Sequence, residues 1–486
     1  MGTPIRPHAI VCGAGLTGLT TAWQLRRQGL DVTVLEADDA VGGVVQSIRR
    51  DGYLVELGPN SCTLTTELAE LVDAVGLTAT LRVAAPQAQR RYIVRNGRPL
   101  AVPSSPGALL RSPLFSLAGK LRMLAEPLIG RRIDSSDESV ADFIRRRLGS
   151  EPLAWAVDPF VSGVYAGDPA RLSVRHAFPR LAAMEREHGS LLRGMIAGAR
   201  RSRVARGQPG LVATRHTMVS FADGIHTLPR AIAESIGSAN VQLSTRVIAI
   251  ERHADGCHVT VEQNGARRTL VADVAIVTVP LHALPRIDLP AAPRGALQQL
   301  ATLEYPPVVS LALGFRRADV AHALDGFGCL IPSAERRQTL GVLFSSTLFD
   351  GRAPDDHVLL TCFIGGVRHA ELGAASTDSL LQIVRKDLAD LLGVQGAPTF
   401  VQRTSWPTAI PQYALGHDAM AHAAEAIEAS VPGLILDGQF RRGVSVGDCI
   451  AAGGTLAARA VALAARPLGG SGAAATAEPH TPVVVG

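Results

Sequence analysis

The residues best equipped for chemistry lie close together near the start of the chain. Gly13-Ala14-Gly15-Leu16-Thr17-Gly18 directly follows the apolar run Ala9-Ile10-Val11-Cys12, and Glu36 ends a second run, Val32-Thr33-Val34-Leu35. The spacing is that of a dinucleotide site. Gly13 permits a tight turn, Gly15 lets a pyrophosphate approach the backbone, and Gly18 lets the following helix pack close to the first strand. Amides at the N-terminus of that helix, from Leu16 and Thr17, then face the phosphates. Glu36 stands twenty-one positions after Gly15, near the roughly 20-residue spacing of a ribose-binding acid. Ala37 continues its turn. A carboxylate there accepts from ribose hydroxyls and repels a 2'-phosphate.

Other chemistries find no support. The 14 histidines form no cluster, and no Ser/His/Asp or Cys/His set stands out, so no catalytic acid, base or nucleophile is nominated. Six cysteines, at 12, 62, 257, 329, 362 and 449, show neither CxxC nor Cys/His spacing. That argues against a bound metal and a disulfide framework, and fits a reducing compartment. The charge of +5 rests almost wholly on arginine, since Lys120 and Lys386 are the only lysines, and aromatic residues make up 4%. A general arginine excess without base-stacking residues does not make a nucleic-acid surface.

A second glycine pair, Gly42-Gly43, follows Glu36 within one turn-like segment and lets another stretch of backbone, continuing into Val44, approach the nucleotide. NAD sites do not require it. The combination resembles the FAD signature of glutathione-reductase-like and amine-oxidase-like flavoproteins, which makes FAD the expected cofactor. Near the other end, Leu434-Ile435-Leu436-Asp437-Gly438 and Gly443-Val444-Ser445-Val446 repeat the pattern of strand, glycine turn and helix start.

These residues must be positioned by a chain of 486 residues, enough for two to four domains. A strand at about residue 8 leaves no room for a leader peptide, and no apolar run reaches 18 residues, so no spanning helix is expected. Gly58-Pro59-Asn60-Ser61 is a turn cluster suited either to the flavin ring or to the surface. The pattern predicts a helix over 64–77 and a strand over 90–94, with Asn96-Gly97 turning it into a return strand. From 103 to 201 it is helical. Leu109, Leu110, Leu114, Phe115, Leu117, Leu121, Leu124, Leu128 and Ile129 alternate there with Arg111, Lys120, Arg122, Arg131 and Arg132. This suits an interfacial helix pair on anionic lipid as well as an ordinary packed subdomain. Residues 200–210 read as an exposed basic loop. Further strands are predicted at 217–221, 241–251, 271–280, 308–315, 341–345 and 358–364, a helix at 379–392, and a disordered tail beyond 466. Returning apolar strands imply that the dinucleotide domain is assembled from separated segments.

Taken in order, the blocks resemble the protoporphyrinogen oxidase family up to about residue 465. They are Gly58 to Ser61, Arg91-Tyr92-Ile93, Asp158 to Asp168 (DPFVSGVYAGD), Gly326 to Pro332, Phe363-Ile364-Gly365-Gly366, Ile410 to Tyr413 and Gly443 to Ile450. The resemblance implies an α/β fold with a Rossmann-like FAD-binding domain from 1–84, 216–290 and 409–465. It also implies an α+β substrate domain from 85–102 and 291–408, and a helical membrane-associating domain from 103–201 followed by a loop at 202–215. Val444, Ser445 and Val446 are then expected at the flavin, Gly438 at the diphosphate, Val247 at the adenine and Trp406 beside the ring. Arg91 is expected to meet a propionate, Leu330, Leu343 and Phe363 to sandwich the macrocycle, and Gly163 to offer a carbonyl to the pyrrole N–H groups. Two positions depart from common versions of the pattern: Val44 to Ser47 lack a basic residue that many relatives carry, and Asn60 stands where some have arginine.

The implied reaction oxidises protoporphyrinogen IX to protoporphyrin IX in three two-electron steps through FAD, with O2 reduced to hydrogen peroxide. Coproporphyrinogen III oxidation is the nearest alternative, ahead of a flavin amine oxidase and of a flavin-free escort protein of this fold. The expected setting is cytoplasmic, peripheral at the inner face of the cell membrane, with a homodimer left open.

Overall fold

The computed structural model describes residues 6–132, 134, 136–205 and 217–465, with side chains omitted at 199–205. The expected tail and the remainder of the basic stretch lie outside the described residues. Seven helices are used below: α1 (Leu16–Arg27), α2 (Pro106–Arg111), α3 (Leu117–Leu124), α4 (Asp158–Tyr165), α5 (Leu191–Ala205), α6 (Thr377–Leu392) and α7 (Val446–Ala464).

Short apolar runs with no polar alternation are stable only where both faces are covered. Five of them form one parallel sheet, in the order Val241–Gln242, Asp31–Leu35, His8–Cys12, Val274–Val277, Leu434–Leu436. Val11 pairs with Val34 on one side and Ile276 on the other, so strands drawn from both ends of the chain share a register. Helix α1 turns Leu19, Ala22, Trp23 and Leu25 toward this sheet, all buried. Full burial of a leucine such as Leu19 contributes about 1.5–3 kcal/mol. Helix α7 packs on α1 at close range: a Cβ added at Gly453 would meet Thr20 Oγ1 at 2.3 Å. By length and composition α7 is able to span a membrane, yet over half of its apolar window is buried within the protein.

A second, seven-stranded sheet runs Phe400–Trp406, Val308–Arg316, His357–Gly365, Thr339–Leu343, Gly328–Leu330, Tyr92–Arg95, Arg98–Ala101. Its side chains alternate between two environments, as the pleat requires. Leu311, Leu313, Cys329, Val342 and Cys362 face a core completed by Leu380, Val384 and Leu388 of α6. The opposite face carries Leu330, Gly341, Phe363 and Ser310 in one cross-strand row, with Leu343 and Thr361 in the next. Part of this face is closed by the hairpin Ser47–Arg50/Tyr53–Glu56, whose Tyr53 stacks on Phe400 at 4.4 Å.

Against the second sheet packs a helical unit with its own core, including Val140, Phe143, Ile144, Val161 and Tyr165. A buried ion pair, Glu126–Arg147, pins it, and Glu126 also accepts from Ser190 Oγ and the amides of Leu191 and Leu192 at the start of α5.

Several expectations are corrected. The helix predicted over 64–77 is Thr66–Ala74, because the Thr65 side chain accepts from Leu68 N–H and caps it. The run 271–280 is not one strand: Ala266–Ala272 and Val274–Val277 belong to different sheets, divided at Asp273, whose carboxylate accepts from His8 N–H. Residues 200–205 continue α5 rather than forming a loop. Ser345 starts a short helix instead of ending a strand, and Arg91 precedes its strand, which begins at Tyr92. Arg122 turns inward to donate to the carbonyls of Arg146 and Arg147, and Leu114 and Phe115 are buried. The exposed apolar surface here is therefore narrower than the sequence pattern.

Candidate active site

The first turn is shaped by its glycines. Gly13 has φ +103°, open to glycine but strained for other residues, and its N–H donates to Leu35 O at 2.8 Å. A Cβ at Gly18 would lie 2.0 Å from Gly13 O, whereas one at Gly15 would meet nothing within 4 Å. The helix is thus drawn tightly under the turn, and space is left above Gly15. Gly15 caps α1 without a side-chain acceptor, and the first turn of α1 holds no acid. Its free amides form an anion-binding end. Leu16 and Thr17 are buried and Ala37 is exposed.

Glu36 reaches back over the turn, its Oε2 accepting from Ala14 N–H at 2.7 Å and its Oε1 from Asp38 N–H at 3.0 Å. Gly42 N–H donates to Ala14 O at 2.8 Å, and Gly42 bridges to Gly15, so the second glycine pair lies directly on the first turn. A Cβ at Gly58 would sit 1.9 Å from Val44 O, which brings the Gly58 turn onto Val44. Pro59, Asn60 and Ser61 are half-buried there, and Asn60 Nδ2 donates to Gly58 O at 3.2 Å. Gly438, at φ +149°, follows the last parallel strand next to Thr278. Beside it the buried Asp437 is held by Arg442 at 2.8 Å and Arg459 at 3.1 Å. Ser445 begins α7 with a capping box formed with Asp448, between half-buried Val444 and buried Val446. Val247 is buried at the rim, two residues beyond Thr245, whose N–H donates to Glu36 O at 2.7 Å. The structure brings the Gly13 turn, Glu36, Gly42 and the Gly58 turn together and leaves open space above Gly15. Open space above Gly15 and uncapped amides at α1 fit FAD.

The open sheet face continues from this cradle. Trp406 pairs with Val308, on the same face as Phe363, and its indole N–H donates to Leu57 O at 2.9 Å, tying the sheet to the Gly58 turn. Leu330, Leu343 and Phe363 are all half-buried here. Gly163 of α4 covers the row, since a Cβ on it would come within 2.5 Å of Leu330 Cδ2. At the far side, Arg91 shares the face of Ile93, which pairs with Leu330. Its guanidinium lies over Phe327 at 5.1 Å, where desolvation lowers its pKa although the residue keeps an exposed edge. The strands of Trp406 and Arg91 are five steps apart, about 24 Å at the usual inter-strand spacing.

Two supporting clusters gave no signal of their own in the sequence. Arg368 donates to Asp158 at 3.0 Å and to Ser162 Oγ at 2.6 Å, fixing α4 against the sheet, while Asp158 Oδ2 also accepts from Ser333 N–H at 2.8 Å. Asp158 and Ser162 belong to a block that was singled out; Arg368, forty residues beyond Gly328, has no local mark. Glu56 and Arg352, both buried, pair at 2.6 Å beneath the Gly58 turn. Burial pushes the Glu56 carboxyl up, against the opposing effect of Arg352. Burial also pushes the Cys12, Cys62 and Cys329 thiols up to about 12, so none of them is a ready nucleophile. A separate hollow of about 420 Å³, lined in part by Phe315, Arg385 and Lys386, lies on the α6 side of the sheet, away from this site.

A glycine cradle built from both ends of the chain, opening onto an apolar sheet face, defines a flavin-dependent oxidoreductase of the amine-oxidase type. Residues 16–462 match the family described as flavin containing amine oxidoreductase. Protoporphyrinogen oxidase 2, chloroplastic/mitochondrial, of Arabidopsis thaliana is 36% identical over 91% of this chain and 91% of its own length. Coproporphyrinogen III oxidase of Bacillus subtilis (strain 168) is 28% identical over 92% and 96%. A crystal structure from Exiguobacterium sp. 255-15 shares the fold, with TM-score 0.77 and 24% identity over 94% of this chain and 99% of that one. The chain belongs to the flavin containing amine oxidoreductase family and, within it, to the protoporphyrinogen oxidase family, and its cofactor is FAD.

Proposed function

We propose that this chain oxidises protoporphyrinogen IX to protoporphyrin IX, passing six electrons to O2 as three H2O2. The observation that carries this reading is the half-buried apolar row Leu330–Phe363, with Leu343 beside it, between the Trp406 side and Arg91. An apolar macrocycle with carboxylates at one edge matches that layout. Bound FAD supplies the hydride acceptor at the Trp406 end. Arg91 has no carboxylate partner among the described residues, so its guanidinium is available for a propionate. Leu330, Leu343 and Phe363, all on one sheet face, form an apolar floor for the ring and exclude water. Gly163 lies in the last turn of α4, where helix carbonyls lack an amide partner further along, which suits its oxygen to accept a pyrrole N–H.

The B. subtilis relative keeps coproporphyrinogen III as the second reading. Peripheral membrane contact is supported by Leu110, Leu117, Leu121, Leu124 and Leu128, which are 55–85% exposed on and beside α2 and α3. Assaying both porphyrinogens with and without detergent tests the reading. Porphyrin fluorescence rising faster than in the enzyme-free control is expected for protoporphyrinogen, and its absence for both substrates overturns the proposal.

A further inference from the structure

Helix α4 presents an apolar face that the fold covers only in part. Phe160, Gly163 and Val164 stand at i, i+3 and i+4 and so share one side of the helix. Gly163 meets Leu330 at the macrocycle row, while Phe160 and Val164 flank that contact at 40% and 41% exposure. The rest of the helix is anchored: Val161, Ser162 and Tyr165 are buried, and Asp158 and Ser162 are held by Arg368. Phe160 is braced by Phe178, with ring centroids 5.9 Å apart. Large apolar side chains held open on a fixed helix beside a binding row are suited to an apolar part of the ligand.

The charges around the face are unevenly placed. Around the macrocycle row and the turns beside it, Arg90, Arg95, Arg352 and Arg368 are each paired with a carboxylate: Asp325, Glu151, Glu56 and Asp158. Arg91 alone of this group has none. The site therefore offers a free cation at one edge and an apolar helix flank elsewhere.

We propose that the Phe160–Val164 face of α4 determines specificity: it receives the macrocycle edge that carries vinyl groups and discriminates against a propionate at that edge. The inference rests on the porphyrinogen reading above and narrows it to a dicarboxylate over a tetracarboxylate substrate. Burying a carboxylate against the apolar side chains of Phe160 and Val164 would cost desolvation.

The test compares kcat/KM for protoporphyrinogen IX and coproporphyrinogen III in the FAD-loaded wild type, Val164→Arg, Phe160→Arg and the conservative Val164→Leu. Flavin absorbance and thermal melting check that each variant is folded and loaded, and the two positions are changed separately so that a folding failure at one leaves the other. The wild type is expected to favour protoporphyrinogen at least tenfold. At least one arginine variant should lower that ratio at least tenfold, chiefly through a lower KM for coproporphyrinogen, while Val164→Leu keeps it. An unchanged ratio in the folded arginine variants, or a wild-type preference for coproporphyrinogen, overturns the specificity assignment and leaves the porphyrinogen reading standing. Oxidation of neither substrate by the wild type overturns both.

Discussion

At the scale of single residues, Gly15 and Gly18 make opposite demands on the same turn. A methyl group on Gly18 would meet the Gly13 carbonyl at 2.0 Å, so Gly18→Ala must displace backbone. A loss of at least about 1–3 kcal/mol in denaturant unfolding is expected, as for an overpacked core. Gly15→Ala meets no protein atom and has an ordinary φ, so apoprotein melting should be unchanged while FAD affinity falls at least tenfold; flavin titration reads the second effect. If Arg91 meets a propionate as proposed, Arg91→Ala removes one charge-assisted hydrogen bond, about 1.5–3 kcal/mol, which should raise KM for porphyrinogen about 10- to 100-fold with a smaller effect on kcat. Steady-state kinetics on the detergent-dispersed substrate would show whether the loss lies in binding.

Elements explain how far the chain was readable before its structure. The first strand, α1 and the Gly438 turn were legible because a buried parallel strand, a glycine turn and a helix start leave unbroken local patterns. The division at Asp273 was not. An apolar run of ten residues looks like one strand, and only the side-chain bond from Asp273 to His8 N–H shows where the chain changes sheet. In the same way, Leu114 and Phe115 share a pattern with Leu117 and Leu121, yet the first two are buried with Ile93 and the last two are exposed. Helical periodicity records that a face is apolar and not what covers it. Long-range partners such as Arg368 with Asp158 leave no mark at all. The helical unit also has a charge that should show in solution. Burial raises the Glu126 carboxyl, but Ser190, the amides of Leu191 and Leu192, and Arg147 outweigh it and hold its pKa below the usual value. Stability from this group is fully present above the unfolded pKa of about 4.5 and is lost as pH falls through the lower folded value. Melting temperature should therefore drop on acidification through that window, and less steeply in Glu126→Gln, which at neutral pH should already have lost about 1.5–3 kcal/mol with the charge-assisted bond to Arg147, whose remaining carboxylate contact is to Glu185 at 3.4 Å.

For the whole molecule, the cofactor cradle, the apolar sheet face and the exposed leucines follow one another in space. The segment that displays Leu117, Leu121 and Leu124 also supplies Leu114 and Phe115, which pack with Ile93 and Leu330 beside the macrocycle row. A triple change of Leu117, Leu121 and Leu124 to serine should weaken co-sedimentation with anionic vesicles several-fold while leaving turnover in detergent near that of the parent. The cradle and the sheet face beside it are proposed to serve a six-electron oxidation of a porphyrinogen. This central claim is tested most directly by incubating the FAD-loaded protein anaerobically prepared with protoporphyrinogen IX, admitting O2, and measuring porphyrin fluorescence and peroxide together. The account predicts three H2O2 for each protoporphyrin formed, at a rate well above that without enzyme. Fluorescence no faster than the enzyme-free control, or peroxide formed without porphyrin, would contradict it.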